Sequence, residues 1–166
     1  KEQFDQILLD MKIAHRDVDL ALDGADAIPS LTSFDRVILL MPSLDGLSTH
    51  LSDIMSWVSA GGSLMLAMPP DNSSYLQVIA PKLGIESAGY DYVKAESIVP
   101  SEDFMLGGGE RYELSDPFDS SLSVSLRETA RVWAMTGDAG APLIWSNDCG
   151  SGRTVVCNIG IYDKVM

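Results

Sequence analysis

Two uninterrupted apolar runs, each ended by proline, limit the possible folds of this chain more than any other feature. Residues 36–41 read RVILLM and stop at Pro42, and residues 63–68 read SLMLAM and stop at Pro69. Neither run alternates apolar with polar side chains, as a strand with one face in water does. The runs therefore predict two neighbouring parallel strands that are buried on both faces of a sheet.

The segment between the two runs has helical periodicity. Residues 47–60 carry five apolar side chains at helical spacing: Leu47, Leu51, Ile54, Met55 and Val58. Gly61-Gly62 then predicts the end of this helix, because glycine readily adopts the left-handed conformation of a helix C-terminus. Buried strands joined by helices favour a parallel sheet with right-handed connections.

Further elements are predicted on either side of this unit. Residues 2–13 carry an apolar helical stripe, residues 15–20 alternate as a short strand, and residues 21–35 are a loop. Asn72 or Ser73 is predicted to cap a third helix, since both side chains can accept a hydrogen bond from a free backbone N–H.

The last third of the chain has a different pattern. Residues 90–99 are predicted to be extended, and residues 100–117, with three consecutive glycines, to form a long excursion. Short segments that alternate or run apolar follow, separated by glycine-rich turns: 122–126, 129–136, 142–147 and 153–161. These segments predict antiparallel strands that join or flank the parallel sheet.

Length and charge narrow the class of protein. The 166 residues fit one domain, residues 1–166, within the usual range of roughly 100–200. The formal net charge of −13 repels nucleic acid and anionic membranes, so neither is expected as a partner. No stretch reaches the roughly 20 apolar residues that span a bilayer, so no membrane insertion is expected. Because the chain begins inside a helical pattern and ends without a polar tail, we expect it to be a fragment of a larger protein.

Several segments together resemble a known superfamily. They are FDRVILL at 34–40, WVSAGGSLML at 57–66, PLIWSN at 142–147 and GSGRTVV at 150–156. This combination resembles the class I glutamine amidotransferase-like superfamily, and is similar to its non-catalytic branches: the trimerisation domain of bacterial β-galactosidases and ThuA-like proteins. The resemblance implies a flavodoxin-like, three-layer α/β domain with a mainly parallel sheet and antiparallel strands in its C-terminal third.

A second resemblance rests on the tail of the chain. Residues 157–163, CNIGIYD, look like those of an uncharacterised bacterial family linked to exopolysaccharide operons. Members of that family are similar to polysaccharide deacetylases further along the chain. This resemblance implies a link to extracellular polysaccharide metabolism, and an extracytoplasmic or cell-envelope location is favoured.

The catalytic residues of the amidotransferase-like superfamily have no counterpart here. Its active members hold a nucleophilic cysteine on a tight turn after a central strand, where a helix N-terminus lowers the thiol pKa. In this chain Pro69-Pro70 occupies that place, and both cysteines follow both histidines. The superfamily also has a central strand before its first helix, which here either precedes residue 1 or is supplied by residues 154–161. No catalytic residue is assigned.

The best candidate for a binding site comes from position in the sheet. Ligands of open parallel sheets bind beyond the carboxyl ends of the strands, where Ser43, Asp45, Asp71 and Asn72 follow the two runs. These side chains could bind a polyol or sugar, or could cap the helices that follow, which is the commoner use.

Other polar residues are assigned less specific roles. His15 and His50 have no metal-ligand spacing and are expected at the surface, and no metal or cofactor is expected. Cys149 and Cys157 are either buried thiols or a bridge, and Cys149 lies in a polar turn where it could react. The carboxylates Glu96, Glu102, Asp103 and Glu110 favour a solvated loop over an acid–base pair.

These observations favour a non-catalytic accessory or binding domain of a larger bacterial protein. Its expected partners are other domains of the same polypeptide, with carbohydrate as a candidate ligand. The alternative is a hydrolase or transferase with a carboxylate site made of Asp45, Asp71 and residues 102–110. A small-molecule sensor would instead need an apolar pocket at the strand ends.

Overall fold

The computed structural model describes residues 2–40, 43–66, 73–104 and 108–159. Within it the chain divides into two compact units, residues 1–30 and residues 31–166. The described helices are at most nine residues long, and none of them is long and apolar enough to cross a bilayer.

The first unit contains α1 (Glu2–Asp10), α2 (Leu20–Asp23) and a 3-10 turn at Ala25–Ala27. Helix α1 ends through Lys12, whose positive φ of 56° lets its N–H donate to the Leu9 carbonyl. The strand predicted for residues 15–20 is wrong. Asp19 instead caps α2, accepting hydrogen bonds from the N–H groups of Ala21 and Leu22, and this local contact competes with strand pairing.

The second unit contains helices α3 (Leu51–Ser59) and α4 (Ser74–Ile79) and one large mixed sheet. Its described strands are β1 (Arg36–Leu39), β2 (Ser63–Leu66), β3 (Ile85–Pro100), β4 (Tyr112–Leu126), β5 (Ala130–Thr136), β6 (Pro142–Cys149) and β7 (Gly152–Cys157). They are arranged in the order β1-β2-β7-β6-β5-β3-β4. Strands β1, β2 and β7 are parallel, and the other neighbours pair antiparallel.

The predicted parallel pair is present. β1 and β2 are adjacent, with Val37 opposite Leu64 and Leu39 opposite Leu66. The place of a central strand is taken by β7, which pairs parallel with β2 on one side and antiparallel with β6 on the other. A late strand was one of the two predicted sources of a central strand, and a late strand, β7, does lie beside β2. Ser73 caps α4, as predicted, by accepting from the Leu76 N–H.

Burial of β1 and β2 on both faces is wrong. Leu64 and Leu66 are each 2% exposed, whereas Ile38 is 36% exposed and Met65 is half-buried. The cause is that α3 and the segment after α4 pack on the same face of the sheet. Apolar composition alone does not reveal how many faces are covered, because nearly all side chains of these strands are apolar.

Contacts of β6 and β7 define the two faces. Cys149 contacts Ser59 of α3, and Trp145 Nε1–H donates to the Leu83 carbonyl after α4, 2.9 Å away. We call this side the covered face. The alternate residues of β6, including Ser146 and Asp148, lie on the opposite side, which we call the outer face.

The turn between β6 and β7 explains the glycines of the GSGR segment. Gly150 has φ +64°, and a Cβ there would collide with the Ser59 carbonyl. A Cβ on Gly152 would collide with the carbonyls of Val58 and Gly62. Only glycine lets this hairpin pass directly beneath the C-terminus of α3.

The sheet is larger and more curved than the flavodoxin-like, three-layer domain that was expected. Residues 112–117, predicted as part of an excursion, belong to β4, which forms a long, irregular hairpin with β3. Just after β7, the buried Asn158 side chain accepts from the Leu122 N–H of β4 and donates to the Leu122 carbonyl, at 3.0 and 2.8 Å. β4 is the edge strand of the sheet and β7 lies four strands away, so this contact requires the sheet to curl. The second unit is therefore a mixed α/β fold with a large curled sheet.

Candidate functional site

The predicted rim at the carboxyl end of β1 forms a local turn. Ser43 Oγ accepts a hydrogen bond from the Asp45 N–H at 3.3 Å, just before the 3-10 turn Asp45–Leu47. This is a local hydrogen bond between a serine side chain and the backbone two residues on, of the kind that stabilises turns. Asp71 and Asn72 lie outside the described residues, so a binding role for these four residues stays a prediction.

A polar cleft lies at the other end of the parallel strands, on the outer face. It consists of two adjoining cavities of about 420 and 150 Å³ that share Asp148 and Arg153. The larger is lined by Gly61, Ser63, Asp148, Gly150, Ser151, Gly152 and Arg153. The smaller is lined by Thr129, Arg131, Trp133, Ser146, Asp148 and Arg153. We call the two cavities together the outer cleft.

A fixed indole forms one wall of the outer cleft. Trp133 Nε1–H donates to Ser146 Oγ at 2.8 Å, and Ser146 is buried. The Arg131 guanidinium lies 4.0 Å from the centre of the Trp133 ring, and its Nη2 donates to Asp103 at 2.9 Å. Phe104 contacts the same indole, with ring centroids 5.8 Å apart. The indole and guanidinium are thus ordered before any ligand arrives, which lowers the entropic cost of binding.

An ion pair divides the two cavities. Arg153 Nε donates to Asp148 Oδ1 at 2.9 Å, and both side chains are more than half exposed. The cross-strand register then places Arg36 of β1 beside Ser63, and Ser63 beside Arg153. The outer face therefore presents a row of polar side chains across β1, β2, β7 and β6, close to the strand ends.

The chemistry of this cleft suits recognition of a polar ligand. It offers carboxylate and hydroxyl acceptors, guanidinium and hydroxyl donors, and an aromatic wall. Polyhydroxylated molecules need donors and acceptors together, and these groups supply both.

Among the carboxylates that were expected in a solvated loop, Glu96 and Asp103 have separate partners. Lys94 pairs with Glu96 at 2.6 Å, and Asp103 pairs with Arg131. Within the described ranges, the one group of three possible metal-binding side chains is Asp5, His15 and Asp17, whose ligand atoms lie within 4.8 Å of one another. Asp45 and the 102–110 carboxylates do not join such a group.

The Asp5–His15–Asp17 group belongs to the first unit. His15 Nδ1 lies 3.1 Å from the Ile13 carbonyl, and His15 and Asp17 are exposed. Exposed carboxylates beside an imidazole are common on acidic surfaces and do not by themselves make a metal site. His50 precedes α3, and its Nε2 is buried without a partner among the described residues.

Both cysteines are free thiols, so the bridge that was one of the two alternatives is not formed. Cys149 is buried, with its Sγ 3.4 Å from Ser59 Oγ, in contrast to the exposed, reactive position considered for it. Burial raises the pKa of the Cys157 thiol, and a weaker backbone hydrogen bond from Ile159 lowers it. A raised pKa disfavours the reactive thiolate.

The fold and the cleft define a class: an α/β domain with a curled mixed sheet and a preformed polar surface site. The chain belongs to the bacterial family described as "Uncharacterised protein conserved in bacteria (DUF2194)", whose model matches residues 1–127. The match ends before the tail at 157–163, so the link to exopolysaccharide operons stays a prediction. Comparison with curated proteins gives no match.

Solved structures share the fold at low sequence identity. The cytoplasmic protein STM1381 from Salmonella typhimurium LT2 has a TM-score of 0.65 and 14% identity, over 81% of this chain and 66% of that one. The exo-beta-1,4-mannosidase Op5Man5 from Opitutaceae bacterium strain TAV5 has a TM-score of 0.53 and 24% identity, over 81% and 22%. The beta-galactosidase from Rahnella sp. R3 has a TM-score of 0.54 and 23% identity, over 78% and 21%.

These similarities concern the fold, and this chain spans only about a fifth of the two glycosidase chains. Structural neighbours from β-galactosidases agree with the expected likeness to a domain of those enzymes. The assignment to the glutamine amidotransferase-like superfamily is not confirmed by these comparisons.

The outer cleft was missed from the sequence. Its residues come from four strands and the intervening turns, and their meeting depends on β7 lying between β2 and β6. One signal was present: Arg131, Trp133 and Met135 alternate with Val132, Ala134 and Thr136, which predicts two faces for β5. That alternation does not tell which strand supplies Ser146, Asp148 or Arg153.

Proposed function

We propose that this chain is a non-catalytic, carbohydrate-binding accessory domain of a larger bacterial protein, and that the outer cleft is its binding site. The observation that carries the proposal is the preformed wall of Trp133, held by Ser146 and overlaid by Arg131. Aromatic rings and planar polar side chains together contact both the apolar faces and the hydroxyl groups of a sugar.

The structural neighbours support an accessory role beside carbohydrate-active domains. A domain of similar fold makes up about a fifth of an exo-beta-1,4-mannosidase chain and of a beta-galactosidase chain. A role beside carbohydrate-active domains of the same polypeptide follows from that association by analogy of fold, which is weaker support than the site itself. The rim of Ser43, Asp45, Asp71 and Asn72 is a second place where a sugar could bind.

Calorimetric titration of the 166-residue chain with a panel of trisaccharides, both neutral and acidic, tests the proposal. We expect at least one sugar to bind with a Kd of about 0.1–1 mM, since an open cleft buries little of its ligand. Trp133→Ala should weaken that binding about tenfold or more. Tyr112→Ala, which removes another exposed aromatic ring of the same sheet, should leave it unchanged.

Far-UV circular dichroism and a thermal midpoint establish that each variant is folded. Loss of binding in Asp45→Asn but not in Trp133→Ala would move the site to the rim. Absence of binding to every sugar in the panel would sink the proposal.

A further inference from the structure

The distribution of arginine in this acidic chain is uneven. The sequence has six arginines and a formal net charge of −13. Three of the six, Arg36, Arg131 and Arg153, lie on the outer face at or beside the outer cleft. An anionic ligand approaching elsewhere meets repulsion, so attraction must come from this local group.

The three guanidinium groups keep donors to spare. Arg153 uses Nε for Asp148, and Arg131 uses Nη2 for Asp103. Within the described residues their remaining terminal N–H groups have no partner, and Arg36 makes no ion pair. Arg36 and Arg153 are two strands apart, which separates their Cα atoms by about 10 Å. The charged lining residues of the cleft are two arginines, Arg131 and Arg153, and one carboxylate, Asp148, so the lining carries a net positive charge.

We infer that the outer cleft selects acidic saccharides, those bearing carboxylate groups such as uronic acid residues, through Arg153 with Arg36 and Arg131. This inference rests on the proposed function and names its ligand class. A guanidinium offers a planar fork of two N–H groups that matches a carboxylate, whereas a single hydroxyl uses only one of them. The Ser63 and Ser151 hydroxyls, with Trp133, remain for the uncharged part of the sugar.

The spacing suits a chain of such sugars. Arg131 and Arg153 both line the smaller cavity, and Arg36 lies beyond the larger one in the cross-strand register. An oligosaccharide lying across these strands would therefore meet more than one arginine. Polynucleotides, the other common polyanions, carry a denser charge and are repelled more strongly by a chain of this net charge.

The test compares α-1,4-linked trigalacturonate with its carboxyl-reduced counterpart, which has the same linkages and no charge. Affinity of the 166-residue chain for each is measured by calorimetry at one ionic strength. We expect trigalacturonate to bind about ten- to a hundredfold more tightly, as charge-assisted hydrogen bonds predict. Arg153→Gln should remove most of that preference, because it should weaken binding of trigalacturonate by a much larger factor than binding of the neutral sugar.

Arg111→Gln is the matched control. Arg111 is also an ion-paired, partly exposed arginine, bound to Glu113 and Asp138 away from the outer cleft. It should leave the preference intact. Arg36→Gln and Arg131→Gln, each checked for an unchanged thermal midpoint, should each weaken trigalacturonate binding by a smaller factor than Arg153→Gln.

The outcomes separate the two proposals. If the two sugars bind with equal affinity and Trp133→Ala abolishes binding of both, the carbohydrate-binding function stands and the acidic selectivity is overturned. A preference for trigalacturonate that Arg111→Gln reduces as much as Arg153→Gln would also overturn it, because the attraction would then be general. Binding of neither sugar would overturn the inference, and the remaining sugars of the panel would then decide the proposed function.

Discussion

The covered and outer faces of the sheet differ in what lies against them, although β1, β2 and β7 contribute to both. On the covered face, Leu64, Leu66 and Val156 are almost inaccessible beneath the helices. On the outer face, Ile38 is 36% exposed, and Arg153 and Asp148 are exposed. One set of short strands thus presents a packed core on one side and a polar cleft on the other.

This difference shows that helices determine which apolar side chains of a strand become core. α3 buries Leu51, Ile54, Met55 and Val58, the same four-residue stripe that gives it an apolar side. It packs against β7, and the segment after α4 is tied to β6 and β7 by side-chain hydrogen bonds. Side chains facing these helices lose water, and their neighbours in sequence do not.

The largest expected effect tests the two faces directly. Leu66→Ala should lower the free energy of unfolding by about 2–5 kcal/mol, because it empties a packed site. Ile38→Ala removes a comparable apolar side chain from the outer face and should cost about 1 kcal/mol, since much of Ile38 is already in water. Urea unfolding of both variants measures the difference, and equal losses would show that the outer face is as buried as the covered one.

A second pair of variants isolates the contact between the β6–β7 turn and α3. Gly150 and Gly140 have nearly the same positive φ, +64° and +63°, so alanine brings the same backbone strain to both. At Gly140 a Cβ has nothing within 4 Å, whereas at Gly150 it meets the Ser59 carbonyl. We expect Gly140→Ala to cost about 1–2 kcal/mol and Gly150→Ala about 2–4 kcal/mol.

Denaturation midpoints of the two glycine variants supply the measurement. The difference between them is the cost of pushing α3 away from the hairpin. If the two alanine variants unfold together, α3 does not rest on this turn and the covered face is less tightly packed than its burial indicates.

Much of the second unit follows from local pattern. The continuous runs predicted β1 and β2 and their pairing, and the helical stripe with Gly61-Gly62 predicted α3 and its end, because each signal depends on neighbours in sequence. The strand predicted for residues 15–20 is wrong because the Asp19 side chain caps α2. This local contact outweighs the short alternation of polar and apolar residues that suggested a strand. The start of β4 was not predicted because this segment contains Pro117 and many serines, which usually indicate a loop.

The candidate site was less predictable than the fold. The rule that ligands lie at the carboxyl ends of parallel strands led to Ser43 and Asp45, where the described structure has a local turn. The outer cleft depends on the meeting of Trp133 with Ser146 and of Asp148 with Arg153, and both pairs require the register of antiparallel strands. Register comes from long-range packing, which a local pattern does not encode.

The smallest effect probes how far the outer face is shielded from water, through Cys157 of β7. Burial raises the pKa of this thiol in the folded protein, so the folded state keeps its proton at a pH where the unfolded chain has lost it. A raised folded pKa gives a contribution to stability that is complete below the unfolded pKa, about 8.5, and is lost as the pH rises toward the folded value. Over that window the loss is at most about 1.4 kcal/mol per pH unit.

Urea unfolding at about pH 7 and about pH 9.5 should therefore show wild type losing more stability than Cys157→Ala, with the other titrating groups cancelling in the comparison. Identical losses in the two proteins would mean that the thiol is hydrated in the folded state, and that the outer face is open to water along the whole of β7.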